Sequence, residues 1–327
     1  MVTQTQSCVL EFRPYHRSFR QPLQTSLGLW SLREGILLRL TDSTGKLGFG
    51  EIAPIPWFGS ETFEQALAFC QQLPAEITAE QIATISVALP ACQFGFESAW
   101  LMLNNTAKFK TQNSKLKVSY SALLPTGTDA LEAWRSLWHQ GFRTFKWKIG
   151  VVPLSTELEA LQALRQVLPT AAKLRLDANG GLTQEAAIAY LQVCDELSIE
   201  FLEQPLPVSQ FQTMLKLSQQ HSTPLALDES VATLAQLQTC YEQGWRGIFV
   251  IKPAIAGFPS QLRQFCQTHS IDAVFSSVFE TAIGRTTGLS LATELTPGDR
   301  AVGFGINHWF SDSWEQLSDF EQLWNSL

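Results

Sequence analysis

Hydrophobic and polar positions follow one pattern in the first third of the chain and another in the remainder. Up to about Leu103, alternating stretches predict β-hairpins, and helical periodicity follows them. The predicted strands are Val9–Phe19, Glu34–Thr41 and Leu47–Ala53, and the predicted helices are Thr62–Leu73, Ala79–Ile85 and Pro90–Leu103. This arrangement is typical of an α+β module.

From about Lys117 onward, short apolar runs alternate with amphipathic stretches. The predicted strands are Val118–Leu124, Thr144–Ile149, Leu174–Asp177, Glu200–Leu202, Leu225–Leu227, Gly247–Ile251, Ala273–Ser276 and Val302–Phe304. The predicted helices are Leu131–His139, Glu157–Leu168, Gln184–Leu197, Phe211–Gln219, Leu234–Gln243, Ser260–Thr268 and Thr281–Leu295. Eight strands separated by helices favour a closed βα barrel. A doubly wound open sheet is the alternative, but Leu124–Thr128 contains only one glycine for the phosphate-binding turn of that fold.

Composition excludes several classes of protein. The 327 residues include 23 lysines and arginines against 30 acids, so the net charge of −7 argues against nucleic-acid binding and against an anionic membrane surface. No run of about 18 apolar residues predicts a transmembrane helix, and Met1–Leu10 lacks the pattern of a secretory signal. The six cysteines show no CxxC spacing and are expected to be reduced and buried. We therefore expect a cytoplasmic protein with a small-molecule partner, and the sequence leaves monomer and dimer open.

Although charge is scarce, ionisable residues recur where successive predicted barrel strands end. Lys148, Asp177, Glu203, Asp228 and Lys252 are separated by 29, 26, 25 and 24 residues, each interval being about one βα unit. This spacing places all five at the C-terminal rim of the barrel, where the active sites of such barrels lie.

The three acids of this set predict a metal site. Carboxylates that converge in a small space repel one another unless a cation joins them. Asp177, Glu203 and Asp228 offer only oxygen ligands, which select Mg²⁺ over zinc, with Mn²⁺ able to substitute. Asn179 and Glu229 are predicted to orient these ligands or Lys252, with a plain loop role as the alternative for each.

The lysines predict proton transfer at carbon. Lys148 and Lys252 end the second and sixth strands, which lie about opposite each other in an eight-stranded ring. A metal ion and a second lysine disfavour the ammonium form, so Lys148 is expected to take a proton from a carbon next to a carboxylate. The metal would bind that carboxylate and stabilise the enediolate. Lys146 is expected either to assist Lys148 and bind a substrate oxygen, or to anchor a neighbouring acid.

These residues resemble the site of the enolase superfamily, which pairs a lysine or histidine base with Mg²⁺. Lys146-Trp-Lys148 is similar to the KxK motif of the muconate-lactonizing-enzyme-like branch, and the three acids and Lys252 match the metal ligands and the opposite lysine of that branch. The resemblance implies an α/β fold, a modified TIM barrel of the (β/α)₇β type with an N-terminal α+β capping domain. The cap would span residues 1–112, the barrel 113–308, and a tail at 309–327 would pack back on the cap.

Within that branch, several segments resemble the o-succinylbenzoate synthase family of menaquinone and phylloquinone biosynthesis. They are Phe19–Thr25, Arg33–Gly35, Gly50–Phe58, Ala91–Phe94, Glu97–Ala99 and Phe275–Ser277. The resemblance implies a hydro-lyase that dehydrates 2-succinyl-6-hydroxy-2,4-cyclohexadiene-1-carboxylate to o-succinylbenzoate. Lys148 would remove the proton and then protonate the departing hydroxide on the same face, and Lys252 would support the flat ring as a cation.

The sequence indicates the residues that line the expected pocket less specifically than it indicates the acids and lysines. Trp57 and Phe58 are expected pocket walls, or else part of the core of the cap. Ser276 and Ser277 are expected to hydrogen-bond the succinyl carboxylate, or else to be ordinary turn serines. The segments 21–28 and 54–60 are expected to be loops that close over the site.

Other reactions of the same branch remain alternatives. An N-acylamino acid racemase or a dipeptide epimerase would use Lys148 and Lys252 as bases on opposite faces. Dipeptide epimerases of the branch carry Asp-x-Asp after the eighth strand, and Gly303–Asn307 contains no acid. Sugar-acid dehydration would need a histidine near the seventh strand, and Phe275–Glu280 contains none. A non-catalytic metal-binding protein is disfavoured by the intact set of two lysines and three acids.

Overall fold

The computed structural model describes residues 7–25, 28–104, 118–296, 298, 300–305, 309–314, 317 and 319–327. The boundary that the sequence predicts between cap and barrel, at residues 112 and 113, lies outside the described residues, as do residues 306 and 307 of the segment after the eighth strand.

The first part of the chain is an antiparallel sheet with helices on it. Its elements are β1 (Ser7–Thr25), β2 (Gly28–Thr41), β3 (Leu47–Ile52), α1 (Phe63–Gln72), β4 (Glu76–Thr78), α2 (Ala79–Ala83) and α3 (Pro90–Asn104). The strand order is β3-β2-β1-β4. The predicted α+β module is thus confirmed, while β4 was not predicted because three residues are too few to show an alternating pattern.

The hairpin of β1 and β2 is longer than its pattern indicated. The two strands pair from Val9↔Thr41 to Ser18↔Leu32, the register shifts, and pairing resumes from Leu23↔Trp30 to Thr25↔Gly28. The prediction that residues 21–28 form a loop is therefore wrong for the described residues, which extend the strands. The shifted register breaks the alternation on which the prediction depended.

The second part is a parallel barrel surrounded by helices. Its strands are β5 (Ser121–Leu123), β6 (Thr144–Lys148), β7 (Lys173–Asp177), β8 (Phe201–Glu203), β9 (Leu225–Leu227), β10 (Ile248–Ile251) and β11 (Ala273–Phe275), in the order of the chain. Val302 and Gly303 close the ring, through parallel bridges Tyr120↔Val302 and Ser276↔Gly303. The barrel with seven full strands and a minimal eighth confirms the predicted (β/α)₇β fold.

The helices that follow these strands begin largely where the periodicity predicts. They are α4 (Ala130–His139), α5 (Leu154–Val167), α6 (Gln184–Leu197), α7 (Phe211–Gln220), α8 (Leu234–Glu242), α9 (Pro253–Ala256), α10 (Pro259–His269), α11 (Ala282–Leu295) and the terminal α12 (Phe320–Asn325). Threonine caps set several N-termini: the Thr233 side chain, for example, accepts from the main chain of Gln236. Among the described helices, none combines the length and apolarity needed to cross a membrane.

The cap docks on the barrel through a buried carboxylate. Glu51 of β3 is 0% exposed and accepts hydrogen bonds from Tyr15 Oη (2.5 Å), from Thr281 N (2.9 Å) and from Gly284 N (2.9 Å). Thr281 and Gly284 form the start of α11, so the carboxylate caps a barrel helix from the other domain. The tail also contacts the cap, since Arg17 of β1 pairs with Asp312 at 2.9 Å.

Candidate active site

Three acids lie side by side at the C-terminal ends of neighbouring strands. Asp177 ends β7, Glu203 ends β8 and the two are register partners, while Asp228 directly follows β9. Their exposed fractions are only 2%, 2% and 4%. The structure therefore brings together, in one buried layer, the three acids that the sequence predicts as metal ligands.

The lysines reach this layer from two sides. In β6 the residues Phe145 and Trp147 are buried and alternate with Lys146 and Lys148, so the two-residue period of the strand places both lysines on the same face. The Lys148 register partner is Asp177. Lys252 follows β10, which stands four strands from β6 in the ring and so enters from the opposite side.

The ammonium groups pair with the acids. Lys146 Nζ lies 2.8 Å from both Asp177 Oδ2 and Glu203 Oε1. Lys252 Nζ contacts Asp228 Oδ1 and lies 3.8 Å from the centroid of the Phe58 ring. Lys146 is thus ion-paired with two acids, and its role stays a prediction, while Phe58 brings the cap segment 54–60 next to Lys252.

The nearby lysines do not fully offset the burial of the three carboxylates, because the pKa values of two of them are raised. Burial, and then the charge of Asp177, raise the pKa of Glu203 to about 8. Burial raises the pKa of Asp228 to about 6, although Lys252 opposes it. Burial acts against ionisation of Asp177, but Lys146 and Lys148 outweigh it and lower its pKa. Burial lowers the pKa of Lys146, but the charges of Asp177, Glu203 and Asp228 raise it by more, so the net shift of its pKa is upward.

This donor set fits a divalent cation of the Mg²⁺ type. All three carboxylates are oxygen ligands on rigid strand ends. An added cation would offset the burial that raises the pKa values of Glu203 and Asp228, and also the smaller repulsion between the acids. As they stand, no three acid, histidine or cysteine side chains of the described residues are gathered closely enough to hold a metal ion. The acids are paired with ammonium groups, since Lys146 contacts Asp177 and Glu203, and Lys252 contacts Asp228.

Asn179 and Glu229 form a pair beside the acids. The Asn179 amide donates to Glu229 Oε1 at 3.1 Å, and its main-chain N–H donates to Asp177 Oδ1 at 3.0 Å. Burial and the charge of Asp177 raise the pKa of Glu229. Both residues thus lie where they can orient the acids, as the sequence predicts, and their roles stay predictions.

The predicted pocket residues have different surroundings. The Ser277 hydroxyl donates to Glu280 Oε2 at 2.8 Å and accepts from Phe279 N at 2.9 Å, so both of these partners are protein groups. Ser276 is half-buried and bridges to Gly303. Trp57 is 38% exposed and packs edge-on against Trp30, with ring centroids 4.9 Å apart. Substrate binding by these residues stays a prediction.

Several polar residues of the site region were not predicted. Gln204 is 0% exposed and directly follows Glu203, and Glu280 is 1% exposed and accepts from the Ser277 hydroxyl. Neither breaks the pattern of its segment, because a glutamine after a strand or a glutamate before a helix looks like an ordinary loop residue. Glu51 lies within the segment Gly50–Phe58 that carried the family resemblance, and the available signal was one acid in an otherwise uncharged segment.

Two family models and a close relative in sequence match this chain. Residues 129–319 match the family model of the enolase C-terminal domain-like fold, and residues 24–103 match that of the MenC N-terminal domain. The chain is 42% identical, over 97% of its length and 98% of the relative, to o-succinylbenzoate synthase of Thermosynechococcus vestitus. The chain belongs to the o-succinylbenzoate synthase family of the enolase superfamily. The predicted enzyme class, a lyase of menaquinone biosynthesis, is thereby confirmed.

A solved synthase structure and a racemase are also similar to this chain. A solved structure of o-succinylbenzoate synthase from Thermosynechococcus elongatus BP-1, complexed with Mg in the active site, superposes with a TM-score of 0.90 at 41% identity and covers 98% of this chain and 100% of that one. The N-succinylamino acid racemase of Thermus thermophilus is 27% identical over 90% of this chain and 84% of the relative. The racemase is thus the more distant relative, as the order of the predicted functions implies.

Proposed function

We propose that this chain dehydrates 2-succinyl-6-hydroxy-2,4-cyclohexadiene-1-carboxylate to o-succinylbenzoate with Lys148 as the base. The observation that carries the assignment of roles is the placement of Lys148 and Lys252 on opposite strands of the barrel, with three buried carboxylates between them. A small-molecule substrate rather than a nucleic acid agrees with the net charge of −7, and the six free, buried cysteines agree with a cytoplasmic location.

Asp177, Glu203 and Asp228 would hold Mg²⁺, for which Mn²⁺ is an alternative. When bound, the ion supplies positive charge where negative charge develops on the carboxylate of the substrate. The related structure with Mg in its active site supports this part of the proposal. Asn179 and Glu229 would keep the acids oriented through the hydrogen bonds described above.

Lys148 handles the proton in both halves of the proposed reaction. Its amine takes the proton from the carbon next to the ring carboxylate, and the resulting ammonium gives a proton to the departing hydroxide, which leaves as water. One group on one face therefore accounts for a syn elimination. Formation of the aromatic ring drives the reaction forward.

Lys252 is assigned a supporting role. Its ammonium already lies 3.8 Å from the centroid of the Phe58 ring, and a flat substrate ring offers the same kind of face to a cation. Phe58 and Trp57 are proposed as walls of the pocket, and Ser276 and Ser277 as hydrogen-bonding partners of the succinyl carboxylate.

The substitution Lys148→Ala tests the role of the base. We expect it to lower kcat by at least about 10³-fold, because the reaction loses its proton acceptor. The measurement follows the ultraviolet absorbance of the product with purified enzyme, substrate and Mg²⁺. Lys216→Ala, on the exposed face of α7, is the matched control and should leave the rate unchanged. Near-normal turnover by Lys148→Ala would refute the assignment.

A second substrate separates this proposal from racemisation. An N-succinylamino acid incubated with the enzyme in D₂O would exchange its α-proton if the two lysines work as bases on opposite faces. We expect the cyclohexadiene acid to be the better substrate. Turnover of the amino acid alone would assign the chain to the racemases instead.

A further inference from the structure

Gln204 directly follows Glu203 and adopts an uncommon backbone conformation. Its side chain and main chain are 0% exposed, and its φ angle is 36°, in the left-handed region that residues other than glycine rarely adopt. Such a conformation costs energy and persists only where surrounding contacts outweigh the cost.

The main chain of Gln204 bonds the segments that carry the other two acids. Its N–H donates to Ala226 O at 2.8 Å, and its carbonyl accepts from Gly180 N at 2.7 Å. Ala226 precedes Asp228 by two residues, and Gly180 lies in the turn after Asp177. One residue therefore links all three strand ends of the acid layer.

The side chain adds a second set of bonds to the Asp228 segment. Oε1 accepts from Asp228 N at 3.0 Å and from Ser230 N at 3.2 Å. Nε2 donates to Leu206 O and to Ser230 Oγ, both at 2.9 Å. Only an amide offers an acceptor and a donor in this arrangement, and both of its ends are in use.

We propose that Gln204 is a positioning residue that sets the spacing of Asp177, Glu203 and Asp228 and thereby their affinity for Mg²⁺. This inference rests on the proposed function, in which the three acids are the ligands. Gln204 is not a ligand itself, because its side-chain oxygen, Oε1, already accepts hydrogen bonds from the main-chain N–H groups of Asp228 and Ser230. Removing the side chain leaves those buried groups without an acceptor, so the main chain at Asp228 must shift to recover partners.

The test measures Mg²⁺ binding directly. Isothermal titration of Mg²⁺ into the chelator-treated full chain gives Kd for the wild type, Gln204→Ala and Gln204→Gly. We expect both variants to raise Kd by at least about tenfold, the lower end of the effect of groups that orient metal ligands. Gln93 is the matched control, since it is also buried and donates to Ile85 O at 2.8 Å within the cap. Gln93→Ala should stay within about twofold of the wild type.

The two variants separate the side chain from the backbone. Glycine accepts a positive φ without strain, so a normal Kd in Gln204→Gly together with a weak one in Gln204→Ala would assign the effect to strain and overturn the proposal. Wild-type Kd values in both would also overturn it. If circular dichroism shows that the truncated variants do not fold, Gln204→Met, which retains the volume without the hydrogen bonds, takes their place with the same expected loss. A wild-type chain that does not bind Mg²⁺, or whose binding survives Glu203→Gln, contradicts the proposed function instead.

Discussion

Lys146 shows how a single residue can be placed by sequence and yet have its partners decided by the fold. The two-residue period of β6 puts Lys146 and Lys148 on one face. Which acids they meet depends on the neighbouring strands, and Lys146 lies 2.8 Å from oxygens of both Asp177 and Glu203. In the proposed reaction Mg²⁺ binding must therefore compete with an existing ion pair, a point that spacing along the chain does not reveal.

The substitution Glu203→Gln at a single residue is predicted to weaken the binding of Mg²⁺. The amide retains the volume but loses the charge, so we expect Mg²⁺ to bind at least about tenfold more weakly. A calorimetric titration with Mg²⁺ checks the result. Glu61→Gln is the control, because Glu61 is likewise buried but accepts from Ala91 N and Cys92 N in the cap. An unchanged titration for Glu203→Gln would show that Glu203 is not a ligand.

Among the elements, β3 explains why the segment that begins at Gly50 carries a family signal. A Cβ atom at Gly50 would lie 2.0 Å from Gly95 O, and one at Gly48 would lie 2.2 Å from Ala99 O. The strand therefore lies against the main chain of α3, which only glycine allows. This contact fixes the direction in which the next residue, Glu51, leaves the strand.

The substitution Gly50→Ala tests this packing. The added methyl group must push β3 and α3 apart, and we expect the free energy of unfolding to fall by about 1–3 kcal/mol, as for other over-packed cores. Urea unfolding followed by circular dichroism measures the change. Gly305→Ala is a suitable comparison, since a Cβ there would meet its nearest described atom only at 3.7 Å. Equal stability of the two variants would argue against the close contact.

For the whole molecule, the decisive contact is the one between the two domains. The carboxylate of Glu51 in the cap accepts hydrogen bonds from the Tyr15 hydroxyl and from main-chain N–H groups at the start of α11. The same start of α11 follows Ser276 and Ser277, the two serines that are predicted to bind the succinyl carboxylate. A buried carboxylate thus joins the cap to the helix that follows Ser276 and Ser277.

The substitution Glu51→Gln should weaken this docking. The new NH₂ group would face other donors, so we expect at least about 2 kcal/mol of stability to be lost and KM to rise more than kcat falls. Urea unfolding and steady-state kinetics test the two parts. Glu34→Gln serves as control, because the side chain of Glu34 is 39% exposed and pairs with the exposed His16. A Glu51→Gln variant with the stability and KM of the control would contradict the docking role.

Much of this protein follows from its sequence alone. The alternation of apolar runs and helical stretches predicts the barrel, and regular spacing predicts that Lys148, Asp177, Glu203, Asp228 and Lys252 share its C-terminal rim, because each βα unit returns the chain to the same end of the barrel. Both predictions depend on properties that are local or periodic along the chain, and such properties can be read directly from the sequence.

The tertiary structure alone decided the contacts between segments far apart in sequence. Four contacts join segments whose register or docking has no local signal. They are the extension of β1 to Thr25 and its pairing with the start of β2, the pairing of Lys146 with two acids, the Phe58 ring beside Lys252 and the link of Glu51 to α11. The left-handed Gln204 belongs to the same group. Its conformation is unfavourable locally and exists because three strand ends, assembled by the barrel, supply its hydrogen bonds.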